Sequence, residues 1–190
     1  MSEFFLELFS EEIPTNLQSV ARENIIFSIK NFLDKENVNY KSNISSYSTP
    51  NRIVIYFKNI NPEIFKKSEE IRGPNIHAPE VALEGFVKSN QIEKKNIFTK
   101  KTDKGEFYFF KKPSKKIKTR DLLNINLPNI LGKIPWKKSM KWGEFNLFWG
   151  RPLKSILAVF DGKPLNFKFY HLTSSNTTFV DREFEKKNSR

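Results

Sequence analysis

Phe4-Phe5-Leu6-Glu7-Leu8-Phe9 carries one charge in six otherwise apolar or aromatic residues, and it reads as a buried strand. Ser10-Glu11-Glu12-Ile13-Pro14-Thr15 follows as a turn with helix-start chemistry: Pro14 suits a first helical turn and Thr15 an N-cap. From Leu17 the apolar residues recur at Val20, Ala21, Ile25, Phe27, Ile29, Phe32 and Leu33. That spacing predicts a helix ending near Lys35.

Downstream, Tyr40–Ser48 and Arg52–Asn59 read as strands joined by turn chemistry at Pro50-Asn51. Ile53, Ile55 and Phe57 alternate with Val54 and Tyr56, so both faces of the second strand are at least partly covered. Glu63–Arg72 reads as extended chain ending at Gly73-Pro74, and Glu80–Ser89 as a short helix with Val81, Leu83, Phe86 and Val87 on its apolar side. Asn96–Lys101 and Glu106–Lys112 form a predicted hairpin through Thr102-Asp103-Lys104-Gly105. Asp121–Gly132 reads as helical, with Pro128 as a break. Strands follow around Leu147–Trp149 and Ser155–Asp161, and Asp161-Gly162-Lys163 turns the chain into Leu165–Leu172. This order predicts an α+β fold: a largely antiparallel sheet with flanking helices, in two subdomains divided near residues 74–90.

The 190 residues suffice for a sizeable core, and 38% hydrophobic with 28% charged composition excludes a disordered chain. No apolar run approaches the roughly 18–20 residues that span a bilayer. Glu3 stands where a signal peptide carries basic residues. The expectation is a cytoplasmic protein with no membrane partner. The absence of cysteine excludes disulfides and thiolate metal sites. His77 and His171 leave little material for a histidine metal site, so no metal ligand is assigned.

The net charge of +12 favours polyanions, nucleic acid above all. A second cause is equally open. There are 26 Lys against 7 Arg, with 19 Asn, 18 Ile and only 7 Gly, which is what AT-rich coding does to solvated faces. Residues 93–118 hold ten Lys against Glu93, Asp103 and Glu106. Within them, Phe107, Tyr108, Phe109 and Phe110 stand beside Lys104, Lys111 and Lys112, an arrangement that suits base stacking with phosphate contact. Strand alternation sends Phe107 and Phe109 to one face and Tyr108 and Phe110 to the other, as a covered sheet requires, so core packing is preferred. Lys133, Lys137, Lys138 and Lys141, near Trp136 and Trp142, form a second patch for RNA or partner contact.

Catalytic constellations fail in turn. The chain has no Gly-x-Gly-x-x-Gly, no Walker-type loop and no His-Glu-x-x-His. His171 lacks a nucleophile-elbow context and reads as a hydrogen-bonded structural residue. Glu11 and Glu12 are adjacent, so they point apart, and acids ahead of a helix complement its dipole. No catalytic residue is assigned.

Several strings carry a family resemblance. Glu7-Leu8-Phe9-Ser10-Glu11-Glu12-Ile13-Pro14 resembles the Glu-Ile-Gly-Thr-Glu-Glu-Leu-Pro opening of bacterial glycyl-tRNA synthetase β subunits. Thr49-Pro50-Asn51-Arg52-Ile53 resembles that family's Thr-Pro-Arg-Arg-Leu, and Arg72-Gly73-Pro74 its Arg-Gly-Pro. Ile134-Pro135-Trp136-Lys137-Lys138-Ser139-Met140-Lys141-Trp142-Gly143, then Arg151-Pro152 and Asp161-Gly162, is the most specific block. Asn51 stands where the family has a basic residue, and Trp149-Gly150 where it has a Phe-Val type pair. The resemblance covers residues 1–178; 179–190 reads as a divergent charged tail, and the chain as a truncated or split β subunit.

The resemblance implies part of a glycine–tRNA ligase, a heterotetramer of two α and two β subunits that joins glycine to its tRNA through glycyl-adenylate. ATP and Mg²⁺ are then used through the α subunit, with no cofactor bound by this chain. Its partners are the α subunit and glycine tRNA, with no DNA. Arg52, Arg72 and Arg151 become binding candidates beside Lys137, Lys138 and Lys141, because guanidinium forks suit phosphate. The same forks hold internal carboxylates equally well. The alternatives are a stand-alone basic RNA-binding protein, using Lys94–Lys118 and the Trp136–Trp142 loop, and a truncated fragment without activity.

Overall fold

β1 (Ser2–Ser10) is the middle strand of a five-stranded sheet in the computed structural model, which describes residues 1–41 and 43–179. Then come α1 (Thr15–Lys35), β2 (Ile44–Thr49), β3 (Arg52–Ile60), β4 (Glu63–Lys66), β5 (Glu69–Asn75) and α2 (Glu80–Asn90). β6 (Ile97–Thr102), β7 (Gly105–Lys112), β8 (Lys115–Lys118) and α3 (Thr119–Gly132) follow. The chain ends through β9 (Met140–Lys141), β10 (Phe148–Trp149), β11 (Leu153–Phe160), β12 (Lys163–Pro164), β13 (Lys168–Phe169) and β14 (Leu172–Thr173). The fold is α+β with mostly antiparallel strand pairing. Among the described residues no helix is long and apolar enough to cross a membrane.

The chain forms two compact units, Met1–Ile64 with Ile117–Arg190, and Phe65–Lys116. The first holds the sheet β12-β11-β1-β3-β2. Its register aligns three rows across the central strands: Phe160–Phe4–Phe57, Ala158–Leu6–Ile55 and Ile156–Leu8–Ile53. These residues are all buried, together with Leu17, Ala21, Ile25, Ile29 and Leu33 of α1 and Leu123, Leu127 and Leu131 of α3. Both helices repeat an apolar residue every fourth position, so each lays one stripe into the core.

Local expectations are modified where tertiary contacts outweigh them. Pro14, not Thr15, takes the extended cap geometry at the start of α1, and Thr15 is its first helical residue without a side-chain cap. Pro128 does not break α3. An internal proline costs about 3 kcal/mol, whereas burying three leucines returns about 1.5–3 kcal/mol each. α3 also starts earlier than expected, because buried Thr119 donates its hydroxyl to Asn61 O at 2.6 Å and its N–H to Pro62 O at 2.8 Å. Leu165–Leu172 holds β13 and the start of β14. Positive φ at Asp161 and Gly162 folds β12 back on β11, and Tyr170 at φ 52° turns β13 into β14.

The second unit is the antiparallel sheet β5-β7-β6 with α2 against β5. The subdivision expected near 74–90 falls inside it, since the chain leaves the first unit after Ile64 and rejoins at Ile117. β5 does not stop at Gly73-Pro74 but runs to Asn75, with a register irregularity between Arg72 and Asn75 where the proline lacks its N–H. Residues 180–190 of the expected tail lie outside the described residues.

Candidate nucleic-acid and partner interface

Three separate strings meet at one end of the first unit's sheet. Ser10 N–H donates to Asn51 O at 2.8 Å, Glu11 N–H to Pro152 O at 2.9 Å, and Ile13 N–H to Pro50 O at 2.6 Å. The opening, the Thr49–Arg52 turn and Arg151-Pro152 are thus one structure, held by backbone bonds. Arg151 reinforces it: Nε donates to Glu12 O at 3.1 Å and one terminal nitrogen to Gly150 O at 3.0 Å, 4.0 Å from Met140 Sδ. Its guanidinium is spent largely on carbonyls of the turn.

Arg52 is also engaged internally. It opens β3 and pairs in register with Phe9. One terminal nitrogen reaches Glu7 Oε2 at 2.9 Å and Thr178 Oγ1 at 2.6 Å, and the other donates to Phe179 O. Thr178 in turn donates to the second Glu7 oxygen. Glu7 is 5% exposed, so a buried carboxylate is balanced by one guanidinium and one hydroxyl. The guanidinium lies 4.9 Å from the Phe9 ring centre, and Phe179 stacks on the same ring. Of the two uses left open for Arg52, the structure displays the internal carboxylate.

The lysines are different. Lys137 and Lys138 are exposed and make no ion pair among the described residues. Lys141 is exposed on β9 and donates to Asn146 Oδ1 at 2.8 Å. The loop presenting them is anchored by Trp136, whose ring lies 5.0 Å from buried Trp149 and over Gly150. The structure brings Lys141 and Arg151 to one short sheet, through Met140. His171 stacks on Phe145 at 4.6 Å, with Nε2 3.2 Å from Leu153 O, a packed structural histidine. His77 is exposed, and its backbone N–H donates to Asn75 Oδ1. No group of three metal-ligating side chains occurs among the described residues.

Arg72 belongs to the second unit. It is exposed and lies 3.6 Å above the Phe107 ring. Phe98 and Lys100 lie in the basic Lys94–Lys118 block but were not singled out within it, although β6 alternation was the signal that could have found them. Phe98 stacks on Phe109 at 6.1 Å, and Lys100 bridges to Glu70 at 2.7 Å. Hydrogen bonding and charge from Lys100, with a contribution from Lys111, hold the Glu70 carboxyl below its ordinary range. The bridge's support is therefore present above the unfolded carboxylate's pKa and lost as pH falls through the folded one. An NMR titration of Glu70 is expected to show a depressed midpoint, and Lys100→Gln should move it upward. An unmoved midpoint in that variant removes Lys100 as the cause.

Comparison with known proteins agrees with the strings. The sequence model of the family described as glycyl-tRNA synthetase beta subunit matches residues 4–190, past the Thr178 limit read above. The chain is 36% identical over 182 residues to a Rickettsia prowazekii protein named glycine–tRNA ligase beta subunit, covering 96% of this chain and 27% of that protein. Its identity to the Rickettsia typhi protein of the same name is 38%, with the same coverage. For the Rickettsia conorii protein it is 35% over 187 residues, 98% of this chain and 28% of the relative. The chain thus spans little more than a quarter of the length of these relatives. With its signature strings joined at one end of the sheet, the chain belongs to the glycyl-tRNA synthetase β-subunit family.

Proposed function

We propose that this chain serves as a non-catalytic β-subunit portion of glycine–tRNA ligase in the cytoplasm. It supports ATP-dependent attachment of glycine to its tRNA by contacting the tRNA, the α subunit, or both. The family match over residues 4–190 carries this reading. ATP and Mg²⁺ enter it through the α subunit of the heterotetramer. The exposed Lys137, Lys138 and Lys141 supply a surface for phosphate or for an acidic partner. Arg151 acts by holding the adjoining turn, while Arg52 holds Glu7.

The test is capture of the α subunit, followed by glycylation and tRNA binding against salt. The chain is expected to form a complex with the α subunit or to prefer glycine tRNA over other tRNAs. K137Q/K138Q/K141Q should weaken tRNA binding and lower the log–log salt slope by about 0.7–0.9 for each phosphate no longer neutralised. Neither capture nor preference would leave the family ancestry without this function. Salt-dependent binding indifferent to tRNA identity, without capture, would favour a stand-alone RNA-binding protein.

A further inference from the structure

The sheet of the second unit has two unequal faces. Register places Ile71, Phe110 and Ile97 in one row, with Tyr108 on the same side. α2 packs on this side: a Cβ at Gly73 would lie 2.9 Å from the Phe86 ring, so only a bare backbone admits the helix so close. The opposite face carries Glu70, Arg72, Phe98, Lys100, Phe107, Phe109 and Lys111.

That second face is ordered as a stacking surface. Phe109, 7% exposed, is its floor, and Phe98 stacks beside it while remaining 38% exposed. The guanidinium carbon of Arg72 lies 3.6 Å from the Phe107 ring centre, so the ring backs the cation. Lys100 is 5.7 Å from the Phe109 centre. Its bridge to Glu70 crosses β7, because the two residues sit on the strands flanking it. Three cations on this face meet one carboxylate, and residues 65–116 hold 13 Lys and Arg against 7 Asp and Glu. Phe98 is thus only partly covered, on the face that also carries Arg72 and Lys100.

We propose that this face binds single-stranded RNA, with one base on Phe98, another on the guanidinium plane of Arg72, and phosphates against Lys111 and Lys100. Aromatic rings and arginine planes stack on unpaired bases, whereas a duplex keeps its base faces occupied. The positive balance matches a polyanion. The choice of RNA rests on the function proposed above; the choice of surface rests on the register and the stacks.

Fluorescence anisotropy with a single-stranded RNA oligomer and a blunt RNA duplex of equal length tests it. The parent is expected to prefer the single strand. Phe98→Leu keeps apolar bulk but removes the ring, and should weaken single-strand binding about tenfold, while Phe98→Trp retains it. Arg72→Ala should cost a similar factor and lower the salt slope by about 0.7–1. Val81→Ser on exposed α2 should change nothing, and circular dichroism confirms folding of each variant. Equal single-strand affinity in parent, Phe98→Leu and Arg72→Ala overturns the proposal, as does an equal loss for strand and duplex. Capture of the α subunit with no effect at Phe98 removes this face alone. Phe98-dependent strand binding without capture or glycylation removes the wider function and keeps the face.

Discussion

Arg52→Ala is expected to destabilise the chain by about 2–4 kcal/mol, through the loss of a partly buried ion pair. The range sits below that of a fully buried pair because the Arg52 side chain is 24% exposed and its charge is screened by water. Glu7 would keep only the Thr178 hydroxyl while remaining enclosed between β3 and β11. Removal of the cation from the Phe9 ring, and of the anchor on Phe179, acts in the same direction. Urea unfolding measures the effect. Glu7→Gln with Arg52→Met should lose less than the two single changes together, since neither partner is then left charged. Unchanged stability with a clear drop in tRNA affinity would reverse the assignment, making Arg52 a ligand contact rather than a structural cation.

Gly150→Ala is the second large effect. The added Cβ would sit 2.3 Å from Trp136 Cζ3 and 2.4 Å from Cε3, far inside contact distance. Trp136 has little freedom to withdraw, because it packs against Trp149 and follows buried Ile134. Overpacking of this kind costs about 1–3 kcal/mol, and a backbone-mounted methyl against an indole belongs at the upper end. For a chain of this size the melting point should fall by about 6–12 °C. The clash also displaces the loop carrying Lys137 and Lys138, so partner binding should weaken with stability. Trp136→Leu in the same chain should recover part of the loss by vacating the space. A melting point unchanged by Gly150→Ala would mean that the loop moves freely and that Trp136 does not anchor it.

The same glycine shows why part of the site was illegible in the sequence. Trp149-Gly150 stands where the family has a larger pair, and nothing local explains a small residue there. Gly150 does not need a positive φ, as Gly143 does; it needs room for a tryptophan fourteen positions earlier in the chain. Arg52 has the same character. The sequence left phosphate and carboxylate equally open, and the decision came from Glu7 and Thr178, brought in by strand pairing and by a segment more than a hundred residues away.

By itself, the sequence determined what depends on short spacing: the apolar β1, the apolar stripe of α1, the β6–β7 hairpin with its Asp-Lys-Gly turn, the α+β class and the family. Such features follow from periodicity and turn chemistry within a few residues, or from strings read in order. Tertiary structure decided the rest. It carried α3 through Pro128, because three buried leucines outweigh one missing hydrogen bond. It closed the second unit on residues 65–116, because the chain leaves the first unit after Ile64 and rejoins it at Ile117. It also turned Phe98, Lys100 and Arg72 onto one face of a sheet. Register between strands is a long-range choice, and a shift of one residue would have sent each side chain to the other side.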